Sequence, residues 1–139
     1  MIYLAGPYRS STLAEHNHNI GRLYTYYVYL TLEMPAQMIV CLPLCTAGFE
    51  RLDTNNDDGV YLDMCCDFIR TTHPLCAFTP GWVDSEGCMI EHKVAENLKL
   101  PTIYPNLLLR NVASLRATIH QIGDRSPFYQ YGLMYLDSL

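Results

Sequence analysis

The chain has 139 residues, with fourteen acidic side chains against nine basic ones and a formal net charge of −5. Half of the residues are apolar, 17% are charged and the mean hydropathy is +0.02, which excludes a disordered chain and suits one core over residues 1–139. The basic excess that phosphate-backbone binding needs is missing, so duplex nucleic acid is not an expected partner. A free nucleotide stays open, because a local site binds one anion whatever the net charge.

The chain opens with Ile2-Tyr3-Leu4-Ala5, a short apolar run cut off by Gly6-Pro7, which predicts a buried strand ending in a turn. Thr12 with Glu15 three residues later has the spacing of a capping box and starts a helix that runs to about Glu33, before Pro35. Tyr24, Tyr26, Tyr27 and Tyr29 crowd this helix on more than one face. They read as core packing or an oligomer face ahead of a base-stacking platform. Met38 to Leu42 is expected as the second strand, ended by Pro43. The polar stretch from Thr46 to Gly59 reads as a mobile loop over a site, and its acidic end lacks the spacing of a calcium loop.

From Val60 to Thr72 the apolar pattern is helical, with Asp57 or Asp58 available as cap and Pro74 beyond its end. Leu75 to Phe78 is a third strand, broken by Pro80-Gly81; a helix follows from about Ser85 to Leu98, then a strand over 101–104 and a helix from about Asn111 to Ile122. Strands alternating with helices of this length imply parallel βαβ units. The expected fold is therefore α/β, a doubly wound, flavodoxin-like parallel sheet of four to five strands with helices on both faces. The tail, with Phe128, Tyr129, Tyr131 and Tyr135, is expected to dock on its own body or on a neighbour.

No signal-peptide pattern stands at Met1 to Ala5, so Cys41, Cys45, Cys65, Cys66, Cys76 and Cys88 are expected to be reduced and to act as small buried hydrophobes. Their spacing offers no matched pair of metal-ligand doublets, and no metal or cofactor is expected. No apolar run approaches the roughly 18–20 residues of a membrane span. The expectation is a soluble, cytoplasmic protein with no membrane partner.

In an open parallel sheet, ligands bind beyond the carboxyl ends of the strands, where the strand order reverses. After the first strand comes Gly6-Pro7-Tyr8-Arg9-Ser10-Ser11, a turn with hydroxyls, an arginine and a helix start, into which an anion fits. After the third comes the segment from Pro80 to Glu91, where Ser85 is placed to cap the next helix and Gly87 leaves the backbone approachable. Glu91 lies about two turns into that helix, and periodicity leaves open whether it points to solvent or into the cleft. Asp63 and Asp67 share one face of the preceding helix. If either faces the same cleft as Glu91, two carboxyls in unequal environments offer a nucleophile and a proton donor.

The run Ile2-Tyr3-Leu4-Ala5-Gly6-Pro7-Tyr8, an Asp about two dozen residues before a Glu, and Pro80-Gly81-Trp82 with Ser85-Glu86-Gly87-Cys88-Met89-Ile90-Glu91 resemble the nucleoside 2-deoxyribosyltransferase superfamily over roughly residues 1–105. The resemblance implies Glu91 as the nucleophile that attacks C1′ of the sugar, Asp67 as the acid that helps the base depart, and Tyr3 as the residue that holds the Glu91 carboxylate. It further implies Ser85, in place of the transferases' Asp, together with Arg9 and Ser10, as a phosphate site, with Gly6, Tyr8 and Gly87 beside it. The implied activity is N-glycosidic cleavage of a (deoxy)nucleoside 5′-monophosphate, with transfer to a second base or nucleotide binding without turnover as alternatives. A homodimer is the implied assembly.

Overall fold

The computed structural model describes residues 1–45 and 58–139. The polar loop expected over the site, at 46–57, lies outside them, as does the cap expected from Asp57. Four strands form one all-parallel sheet: β1 (Ile2–Ala5), β2 (Ile39–Val40), β3 (Leu75–Phe78) and β4 (Thr102–Ile103), in the order β2-β1-β3-β4. In register, Ile2 faces Ile39 on one side of β1 and Leu75 on the other, and Ala5 pairs with Phe78. The helices are α1 (Leu13–Glu33), α2 (Asp58–Thr72), α3 (Glu86–Asn97), α4 (Leu109–Ile122) and α5 (Tyr129–Asp137).

The pleat of β1 sorts its side chains to two faces. Ile2 and Leu4 join Ile20, Leu23, Tyr26 and Leu30 of α1 and Tyr135 of α5 in one core. Tyr3 and Ala5 point the other way, among Cys65, Cys66 and Ile69 of α2 and Val94 and Ala95 of α3. Helices therefore cover both faces of the sheet, and the expected doubly wound α/β fold is what forms.

Local signals place most element boundaries. Thr12 caps α1, its Oγ1 accepting from the Glu15 N–H at 3.2 Å, and Ser85 caps α3, accepting from the Cys88 N–H at 3.3 Å. The second strand is shorter than the apolar run suggests: β2 holds only Ile39 and Val40, and helical backbone begins at 42, with Pro43 at a position where its fixed φ suits a helix start. Asp58 and Gly59 belong to α2.

The tail is helical, and it docks on its own body. α5 packs along α1, and Leu136 joins Tyr24, Val28, Leu115 and Ile119 in a third apolar cluster. Tyr24 is buried there, Tyr26 is buried in the first core, and Tyr27 and Tyr29 are half-covered. Part of the aromatic surface of α1 is thus covered by the chain's own α4 and α5. No helix among the described residues is long and apolar enough to cross a membrane.

Candidate active site

β1 and β3 are neighbours whose connections leave to opposite sides of the sheet, so a crevice opens at their carboxyl ends. It holds a cavity of about 650 Å³, within the range of small-molecule sites. Tyr3 and Ala5 come to it from β1, Gly6 to Arg9 from the turn that follows, Arg22 from α1, Leu62 and Cys65 from α2, and Ser85 to Cys88, Ile90 and Glu91 from the start of α3.

At the wall of this cavity the Tyr3 hydroxyl donates a hydrogen bond to Glu91 Oε2. Both side chains are buried, Tyr3 at 1% and Glu91 at 8% exposure. The α3 residues Cys88, Glu91, Val94 and Ala95 recur at intervals of three or four and turn one face inward, which decides the question periodicity left open. Burial pushes the Glu91 carboxyl up to about 7, against the pull of the Tyr3 hydrogen bond. Burial, and then the Glu91 charge, holds the Tyr3 phenol well above its ordinary value, so Tyr3 remains the donor. Among the described residues Tyr3 is the only hydrogen-bond partner of Glu91. An ionised carboxylate has about four lone-pair sites. Its remaining capacity faces a cavity large enough for a ligand.

Asp67 is not part of this site. It stands 72% exposed on the solvent side of α2, paired with Arg70 at 2.9 Å, and it does not line the cavity. Asp63 is exposed too. The helical repeat is the reason: Leu62, Cys65 and Ile69, at intervals of three and four, form the inward face, and residue 67 falls outside it. The α2 side chain that reaches the cavity near Tyr3 is Cys65, whose thiol is raised to about 11 by burial first and by the Glu91 charge next. A thiol held so high is a weaker acid than the carboxyl expected at this place.

Gly6, Tyr8, Arg9, Ser85 and Gly87 all line the cavity. Gly6 answers to packing, since a Cβ there would overlap Thr79 Oγ1 and stand 2.9 Å from Leu23 Cδ2. Gly87 is open, with only Leu62 Cδ1 at 3.8 Å from a Cβ position, so a ligand can approach its backbone. Arg9 lies with its guanidinium 5.9 Å from the centre of the Tyr61 ring. Ser10 is outside the lining; its Oγ accepts from the Thr12 N–H at 3.2 Å and serves the entry to α1.

Arg22, Asn19 and Glu15 of α1 also line the cavity; in the sequence Glu15 stands out only for its capping-box spacing and the other two not at all. Their spacing of three and four residues on a helix otherwise rich in buried apolar positions marks a polar stripe that was there to be read. Among the described residues no group of three or more His, Cys, Asp or Glu is arranged to hold a metal ion.

Comparison with known proteins finds no matching family model, no match among curated proteins and no match among solved structures. The fold and the geometry of the site are therefore the ground on which a function is argued.

Proposed function

We propose that this protein is an N-glycosidase acting on (deoxy)nucleoside 5′-monophosphates, with Glu91 as its nucleophile. The observation that carries the reading is the Tyr3–Glu91 hydrogen bond at the wall of a ligand-sized cavity at the carboxyl ends of β1 and β3. The resemblance to nucleoside 2-deoxyribosyltransferases arrives at the same two residues from the sequence. A Glu91 oxygen attacks C1′, the bond from C1′ to the base nitrogen breaks, and its electron pair leaves with the base. Water then attacks C1′ and releases the sugar phosphate and the Glu91 carboxylate. Tyr3 fixes the direction of the carboxylate throughout. Because Asp67 faces solvent, water in the open cavity protonates the departing base, and bases that leave readily are the preferred ones.

The test is incubation with a panel of nucleosides and their 5′-monophosphates, monitored for free base. Release that disappears in Glu91→Gln supports the proposal; full release by that variant, or none by the parent with any substrate, overturns it. One observation favours a second reading, a nucleotide-binding protein without turnover: among the described residues of α2 neither Asp63 nor Asp67 lines the cavity with Glu91, and Cys65 takes the inward position. Tight binding of a monophosphate with no base released is the result that selects it. The homodimer implied by the resemblance is rejected by light scattering that gives the 15.9 kDa of one chain.

A further inference from the structure

Two arginines reach the cavity, and they are held differently. Arg9 is exposed at its mouth, against Tyr61 of α2. Arg22 is half-buried in the wall, its guanidinium 5.9 Å from the centre of the ring of Tyr135, a buried residue of α5. Gly81 makes room for it: a Cβ there would lie 3.2 Å from Arg22 Nη1, and the backbone has φ +89, a conformation that favours glycine. Arginines withdrawn from water are ordinarily paired with a carboxylate. Among the described residues Arg22 has no such partner within 4 Å.

Of the carboxylates that share the lining, Glu91 is buried against Tyr3, whereas Glu15, Asp84 and Glu86 are exposed. Solvent screens their charges more than it screens that of a half-buried guanidinium. The Arg22 charge is felt at the Cys88 thiol in the first turn of α3, which burial raises and Arg22 draws down. Arg22 thus stands against Gly81 and shares the cavity lining with Ser85 and Cys88. The Ser85 hydroxyl accepts from the Cys88 N–H.

We propose that Arg22 is the principal anion-binding residue of the cavity, taking the phosphate monoester of a sugar phosphate between its guanidinium and the turn that carries Ser85, with Arg9 a weaker contributor at the mouth. A planar guanidinium offers two parallel donors to two phosphate oxygens, and a desolvated one does so with less competition from water. The inference rests on the nucleotide reading for the rest of the ligand; the anion site itself does not require turnover.

The experiment is calorimetric titration of the full chain with ribose 5-phosphate, ribose and inorganic phosphate, for the parent, Arg22→Gln, Arg22→Lys and Arg9→Gln, with thermal melts confirming that each variant folds. The parent binds ribose 5-phosphate and not ribose. Arg22→Gln weakens binding by roughly 10- to 100-fold, Arg22→Lys recovers part of it because the charge survives without the fork, and Arg9→Gln costs only a few-fold. Unchanged binding in both Arg22 variants, a larger loss in Arg9→Gln, or no binding of any phosphate by the parent overturns the proposal. A parallel assay of base release separates the two ideas. Phosphate binding that depends on Arg22 without base release keeps the anion site and rejects the glycosidase. Base release whose preference for the monophosphate survives in Arg22→Gln does the reverse.

Discussion

β1 sends alternate side chains into two environments of opposite character. On the α1 face Ile2 and Leu4 close against aliphatic and aromatic side chains; on the α2 and α3 face Tyr3 meets Glu91 beside an open cavity. Neighbours in sequence, these residues have opposite relations to stability. The first face gains from every methylene it buries, while the second holds a carboxyl whose charge folding disfavours. A fold that keeps such a group does so at a cost, and the sealed face offsets it.

The comparison can be broken hardest from its apolar side. Leu4→Ala removes a side chain with 0% exposure and should destabilise by about 2–5 kcal/mol. Chemical denaturation should find that loss nearly equal at pH 5 and pH 8, since no titrating group is involved; a strongly pH-dependent loss would mean the two faces are coupled.

Glu91→Gln acts in the opposite direction. The folded carboxyl titrates near 7 and the unfolded one near its ordinary value of about 4.3. Between those pH values the folded chain binds the extra proton, so the parent loses stability as pH rises through that window and levels off above it. The variant should escape this loss and be more stable than the parent by up to about 3 kcal/mol at pH 8, with little difference at pH 4. Denaturant midpoints at the two pH values check it, and a variant less stable at pH 8 would show that ionised Glu91 supports the fold. Turnover in the parent should rise with pH through about 7 as the nucleophile ionises.

Tyr3→Phe keeps the packing and removes the one donor to the Glu91 carboxyl among the described residues. The carboxyl should then titrate higher, so the pH profile of base release moves up and the rate at pH 7 falls roughly 10-fold. An unshifted profile with a normal rate would make the contact a packing feature only. Smallest of all is Asp67→Asn: with Asp67 at 72% exposure beside Arg70, stability should change by less than about 0.5 kcal/mol and base release should keep its rate. A large fall in rate would return Asp67 to the site.

Much of this protein was legible in the amino-acid sequence because its signals are local. The apolar runs of β1 and β3, the Thr12 and Ser85 caps, and the prolines and glycines between elements act within a few residues, and from them the alternation of strand and helix and the parallel sheet follow. The crevice at the ends of β1 and β3 follows in turn. Only the tertiary structure decided which way each helix turned its faces. Glu91 went inward and Asp67 outward because α3 and α2 rotate to bury their apolar residues against Tyr3, Ala5 and Phe78, a choice summed over many distant contacts. The aromatic tail closed over α1 through helix packing between residues 1–45 and 109–139 that no short spacing encodes. Capping and turn energies depend on neighbours in the chain, whereas burial depends on neighbours in space.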